Sequence, residues 1–181
     1  MVWHYWGMKE IFDKYGRDCV WHFTDSANIA SIREHGLLSW AETQKRGITV
    51  PVPGGNDWSH NLDKAKELDA DVHLAFIGHE HPMLHIAQMK ESRLLNPVWL
   101  KIDTSVVLGN NVRFCATVAN KTGALILNAE QAKEMINFEV LFANQPWKNP
   151  AMKPIWYEVR KSEILVPDSI PPEKILNLNS F

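Results

Sequence analysis

The chain has 181 residues, 45% hydrophobic and 22% charged, which is enough apolar material for one core of ordinary size. Its formal net charge of −2 gives no global attraction to nucleic acid, so any such binding must come from a local basic patch. The two cysteines, Cys19 and Cys115, form no CxxC pair, which argues against zinc-ribbon and dithiol chemistry and fits reduced thiols in a cytosolic protein.

Met8, Ile11, Phe12 and Tyr15 recur at helical spacing and predict a short helix over residues 7–16. Residues 18–23 predict a buried strand. Asp25 or Ser26 then caps a helix to about residue 35, with Ile29 and Ile32 inward and Gly36 as its stop. His22-Phe23-Thr24 therefore stands at a strand end before a helix N-terminus, a favoured place for polar ligands. Residues 41–71, with Pro51, Pro53, Gly54 and Gly55, read as a long functional loop with a short helix near 62–68. A strand is expected over 72–77, a helix opened by Pro82 over 82–91, and strands over 97–103 and 112–116. A helix over 129–137 and strands over 155–160, 163–166 and 174–178 complete the order.

Helices and strands do not alternate regularly, and GxGxxG, GxxxxGK[ST] and GxSxG are all missing from the sequence. Dinucleotide-fold, P-loop and α/β-hydrolase readings are therefore disfavoured. The expected fold is α+β, with two small, mainly antiparallel sheets flanked by helices in a single domain over residues 1–181. The opening MVWHYWGMKE lacks a basic segment followed by an apolar run, so no signal peptide is expected, and no apolar run reaches membrane-helix length.

Four groups of residues offer chemistry. Glu163 is an acid at the head of an apolar strand. His22 and Thr24 lie two apart in a strand and point to one face, where an imidazole and a hydroxyl can grip ribose hydroxyls or an amide; Asn28 follows four residues on. Lys45, Arg46, Lys64 and Lys66 sit in or beside the irregular stretch, where cations can meet phosphates. Trp147 and Lys148, within Asn144–Pro150, combine an indole and a cation suited to stacking on a base. His79-Glu80-His81-Pro82-Met83-Leu84-His85 is not HExxH, and no third ligand is evident, so it reads as a strand-to-helix turn beside the site and no metal is expected.

Taken in order, His22-Phe23-Thr24 with Asn28, His35-Gly36-Leu37-Leu38-Ser39, Asp71-Val72-His73-Leu74-Ala75-Phe76, His81-Pro82-Met83-Leu84 and Ser162-Glu163-Ile164-Leu165-Val166-Pro167-Asp168-Ser169-Ile170-Pro171 resemble the DarT family, bacterial toxins that ADP-ribosylate bases in single-stranded DNA. The resemblance spans about residues 20–175. It implies an ADP-ribosyltransferase fold with NAD in a cleft between split sheets. It also implies that His22 contacts ribose hydroxyls, that Thr24 sits beside the nicotinamide, that Asn28 supports the pocket and that Glu163 is the catalytic acid. Phe76 is the candidate for stacking on nicotinamide. Arg46 is the candidate catalytic arginine, holding pyrophosphate or polarising the base, while Lys45, Trp147 and Lys148 are candidates for binding DNA. Thymine and guanine both remain open as acceptor.

The expected reaction moves ADP-ribose from NAD to an unpaired base through an oxocarbenium-like transition state. An RNA-directed transferase, a protein-directed one and a non-catalytic NAD or nucleic-acid binding module are the alternatives. A macrodomain antitoxin is the implied partner, the expected location is the bacterial cytoplasm, and the expected state is a monomer.

Overall fold

The computed structural model describes residues 6–54, 64, 67–78, 81, 94–142 and 149–181. Helix α1, Trp6–Lys14, is followed by strand β1, Cys19–Asp25, whose β-branched and aromatic residues suit a pleated surface. Asp25 ends β1 and caps the next turn. Its two oxygens accept the amides of Ala27, Leu95 and Asn96, each at 2.9 Å, and these bonds hold its carboxyl below the ordinary carboxylate range.

Helix α2, Ile29–His35, buries Ile29 and Ile32 and stops at Gly36. That glycine has φ +78°, and a Cβ there would lie 2.3 Å from the Ile170 carbonyl oxygen, so a side chain would be excluded twice over. The close approach sets strand β2, Leu37–Leu38, against the late strand β8, Ser169–Ile170.

Among the described residues, six strands make the main sheet. Besides β1 they are β3 (Asp71–Ala75), β4 (Pro97–Asp103), β5 (Arg113–Cys115), β6 (Ile126–Leu127) and β7 (Glu163–Pro167). Their order is β4-β1-β3-β7-β5-β6, and every pair is antiparallel. Strand β7 lies inside the sheet with Ile164 and Leu165 fully buried, which accounts for its unbroken apolar run. The α+β class with antiparallel sheets agrees with the sequence reading, although one sheet carries six strands and the other two.

Among the described residues of the second half, three helices follow: α4 (Ala129–Met135), α5 (Phe138–Phe142) and α6 (Lys153–Val159). Helix α4 agrees with the helix expected over 129–137, whereas α5, α6 and α3, Trp40–Arg46, are the main departures from expectation. Of the strand expected over 155–160, residues 155–159 are helical, not extended. Trp156 and Val159 are buried three apart, a helical period, and Pro154 occupies the first turn. Residues 41–46 are helical too. Ser39 Oγ accepts the Glu42 amide at 3.2 Å, and the Ser-x-x-Glu signature of a helix start stands in the sequence at Ser39-Trp40-Ala41-Glu42. At the C-terminal end, the expected strand over 174–178 contributes one bridge, Ile102↔Ile175, between 3₁₀ turns. The predicted helix over 82–91 lies outside the described residues.

Candidate active site

Strands β1 and β3 pair at a single position, Trp21↔Ala75. Strand β1 stays fully laddered to β4 on its other side, and β3 stays fully laddered to β7. Beyond Trp21 and Ala75 the two strands therefore part, and the sheet splits. The split opens into a cavity of about 280 Å³. His22, Thr24, Asn28, His73, His81 and Glu163 all line it.

Glu163 is the first residue of β7 and faces Ala75 across the ladder, with its side chain 8% exposed. Its Oε2 accepts the Ala119 amide at 3.2 Å and lies 3.1 Å from Nδ1 of His73. Residues two apart on a strand share a face, so His73 is the diagonal neighbour of Glu163 on the same side of the sheet as Ala75. The other ring nitrogen of His73, Nε2, lies 3.3 Å from the Leu68 carbonyl.

His22 bridges the split from the opposite bank. Its Nδ1 donates to the His73 carbonyl at 2.9 Å. Burial pushes the His22 pKa down, which keeps the ring neutral, so Nε2 is left as a hydrogen-bond acceptor on a side chain that lines the cleft. Burial lowers the His81 pKa as well, against the opposing influence of the nearby Glu163 charge.

Thr24, two residues beyond His22, is buried, and its Oγ1 accepts from Asn28 Nδ2 at 2.9 Å. Asn28 Nδ2 also donates to the Val52 carbonyl at 2.7 Å, while its Oδ1 accepts the Val52 amide at 2.9 Å. Asn28 thus fastens the segment after α3 to the end of β1, and its amide group is fully used in doing so.

Three expected residues lie elsewhere. Phe76 is 2% exposed and packs among Phe12, Phe114, Phe138 and Phe142, with ring centroids 5.4–6.4 Å apart, so it is a core side chain and does not line the cleft. Arg46 ends helix α3 and is not in a loop. Its Nε donates to Glu42 Oε1 at 2.7 Å, outside the described cleft lining. Lys45 shares the same partner at 3.2 Å and points to solvent. Trp147 and Lys148 lie outside the described residues.

Sequence reasoning passed over His73, although the alternation Asp71, His73, Ala75 on a strand carried the signal. It also passed over the pairing of Asp71 with Arg113 on β5, which neutralises a buried acid at the cleft edge. No group of three or more His, Cys, Asp or Glu side chains placed to hold a metal ion occurs among the described residues.

Glu163 and His22 thus face one cavity from opposite banks of a split antiparallel sheet. One protein-family model, described as "ssDNA thymidine ADP-ribosyltransferase, DarT", matches residues 21–178. The chain belongs to the DarT family. The family description names thymidine, one of the two bases that the sequence left open.

Solved structures of DarT proteins share the fold. DarTG of Thermosipho africanus, in complex with ADP-ribose, matches with a TM-score of 0.67 and 18% identity over 87% of this chain. This chain spans 42% of that one. DarT of Thermus sp. 2.9 in complex with NAD+ matches with a TM-score of 0.57 and 19% identity, covering 87% of this chain and 79% of that one. The same Thermus protein in complex with ADP-ribosylated ssDNA matches at 0.53 and 18% identity, covering 87% and 78%. No curated protein matches by sequence.

Proposed function

We propose that this chain acts as its DarT family description states, transferring ADP-ribose from NAD to thymine in single-stranded DNA, with Glu163 as the catalytic acid and His22 and Thr24 as NAD-binding residues. The observation that carries the reading is the convergence of His22 and Glu163 on the cleft at the β1–β3 split, one through the backbone of His73 and the other through its ring.

A cavity of about 280 Å³ is near the lower limit for a small-molecule site, which suits one nucleotide half of a dinucleotide with the remainder across the rim. The donor set fits that half. The acceptor Nε2 of neutral His22 takes a ribose hydroxyl, and the Thr24 hydroxyl, accepting from Asn28, keeps its own proton for a ligand oxygen.

NAD supplies a sugar whose C1′–nicotinamide bond breaks with oxocarbenium character. Glu163 sits in a water-poor position, where its charge opposes the positive charge developing on that sugar. In thymidine N1 carries the deoxyribose, so N3–H is the ring nitrogen able to lose a proton as it bonds to C1′. Glu163 accepts that proton. Pairing in a duplex occupies N3, so the base must be unpaired.

In the same reading the protein works as a monomer in the bacterial cytoplasm and is restrained by a macrodomain antitoxin; a DarTG protein is among the solved structures that share its fold. No helix among the described residues is long and apolar enough to cross a membrane. The deciding experiment incubates the protein with NAD and a pool of DNA and RNA oligonucleotides, then reads modified mass and base by mass spectrometry. ADP-ribosylated thymine in DNA, lost with Glu163→Ala, is the expected result. Modification of RNA alone, or an active Glu163→Ala variant, would overturn it.

A further inference from the structure

The ring of His73 stands between two hydrogen-bond acceptors. Nδ1 faces Glu163 Oε2 at 3.1 Å, and Nε2 faces the Leu68 carbonyl at 3.3 Å. A neutral imidazole has one N–H and can satisfy one of them; the doubly protonated ring satisfies both. The contact is sheltered, with the Glu163 side chain 8% exposed and that of His73 30% exposed. The His73 carbonyl meanwhile accepts from His22, so this one residue touches both banks of the cleft.

We propose that His73 is a positioning residue for the transfer reaction: its protonated ring, anchored on the Leu68 carbonyl, clamps the Glu163 carboxylate in the orientation the sugar requires. The inference rests on the reading of Glu163 as catalytic acid. With the Ala119 amide, the ring gives Oε2 two donors and leaves Oε1 for substrate. When the ring loses its second proton, a lone pair on Nδ1 or Nε2 faces an acceptor and the clamp loosens.

Among the described residues, titratable groups from several elements line the cleft around this ring. Glu163 comes from β7, neutral His22 from β1 and neutral His81 from the segment after β3. Asp71 on the same strand face is paired with Arg113 from β5, and Asp69 lies in the turn before β3. Because His22 and His81 take up protons only on the acidic side, they cannot produce a fall in rate on the alkaline side.

The test compares wild type with His73→Ala, His73→Asn and Glu163→Gln, using steady-state kinetics with NAD and a thymine-containing oligonucleotide across a pH series, with thermal melts to verify folding. His73→Ala is expected to lower kcat about 10- to 100-fold with the KM for NAD changed less than threefold, since a misdirected group costs rate more than binding. His73→Asn, whose amide keeps one non-titrating donor, is expected to restore at least a third of the loss on a logarithmic scale. Wild type is expected to show a fall in kcat on the alkaline side, and His73→Asn to abolish it. A folded His73→Ala with kcat within threefold of wild type overturns the inference, and so does a His73→Asn profile with the same alkaline fall. Full activity of Glu163→Gln would instead overturn the reading of Glu163 itself, whatever the His73 variants do.

Discussion

His22 spans the parted strands and donates its Nδ1 proton to the backbone carbonyl of His73, 2.9 Å away. A side chain thus replaces the ladder bond that β1 and β3 do not make at this level, and the bond fixes which nitrogen of His22 carries hydrogen. Burial is the main cause that depresses the His22 pKa, and the same holds for His81. Both must gain protons on unfolding in mild acid.

The sign of the pH dependence follows. A histidine whose folded pKa lies below its unfolded value of about 6.5 binds more protons when unfolded, so stability is complete above that pH and falls below it. Thermal melts between pH 8 and pH 5 are expected to show a declining Tm below about pH 6.5, and His22→Gln should remove part of the slope. A Tm flat across that range in the wild type would contradict the assignment.

Glu163→Gln keeps the volume and the Ala119 bond but removes the charge. Transfer is expected to fall by about 10²–10³-fold, the range for removing one preorganised electrostatic group. NAD binding, followed by calorimetry, should change little, because the ribose contacts assigned to His22 and Thr24 remain.

Asn28 makes three bonds that tie Thr24 and Val52 together. Asn28→Ala leaves the Val52 amide and carbonyl without these partners. We expect a loss of about 2–4 kcal/mol by urea denaturation, on the order of one to three kcal/mol for each stranded buried group. Hydrogen exchange at Val52 should accelerate, and the KM for NAD should rise as Thr24 loses its support.

Arg46→Ala tests the placement of that arginine. With its Nε on Glu42 and the side chain 43% exposed, its removal is expected to alter kcat and the KM for NAD by less than threefold. A loss of a hundredfold would show that Arg46 leaves Glu42 to reach substrate.

Much of the frame was legible from periodicity and stop signals. Strands β1, β3, β4, β5 and β7 fall within a residue or two of expectation, because there the aromatic and β-branched runs bounded by turn residues agree with the burial that the sheet imposes. Helix α6 was not legible, because Ile155, Trp156 and Tyr157 favour strands locally and only burial of Trp156 with Val159 reveals the helical period. Phe76 shows the same limit at the level of the site. The family resemblance suggested a ligand-facing ring in this strand, but the chain turns Phe76 into the core beside Phe138. His73 could have been found from its two-residue spacing to Asp71 and Ala75, whereas its pairing with Glu163 depends on a β3–β7 register that no single strand encodes.

The one-rung junction at Trp21 and Ala75 has a further consequence for what can occupy the cleft. Past that rung β1 and β3 no longer pair, the His22 ring takes up the His73 carbonyl, and any other main-chain group buried along the split requires a partner. An occupant bearing both a donor and an acceptor on a flat frame, as a primary carboxamide does, can stand in for the absent strand neighbour. Selectivity for such a head group would then be written in the parting of the backbone itself, and would survive many changes of side chain around it.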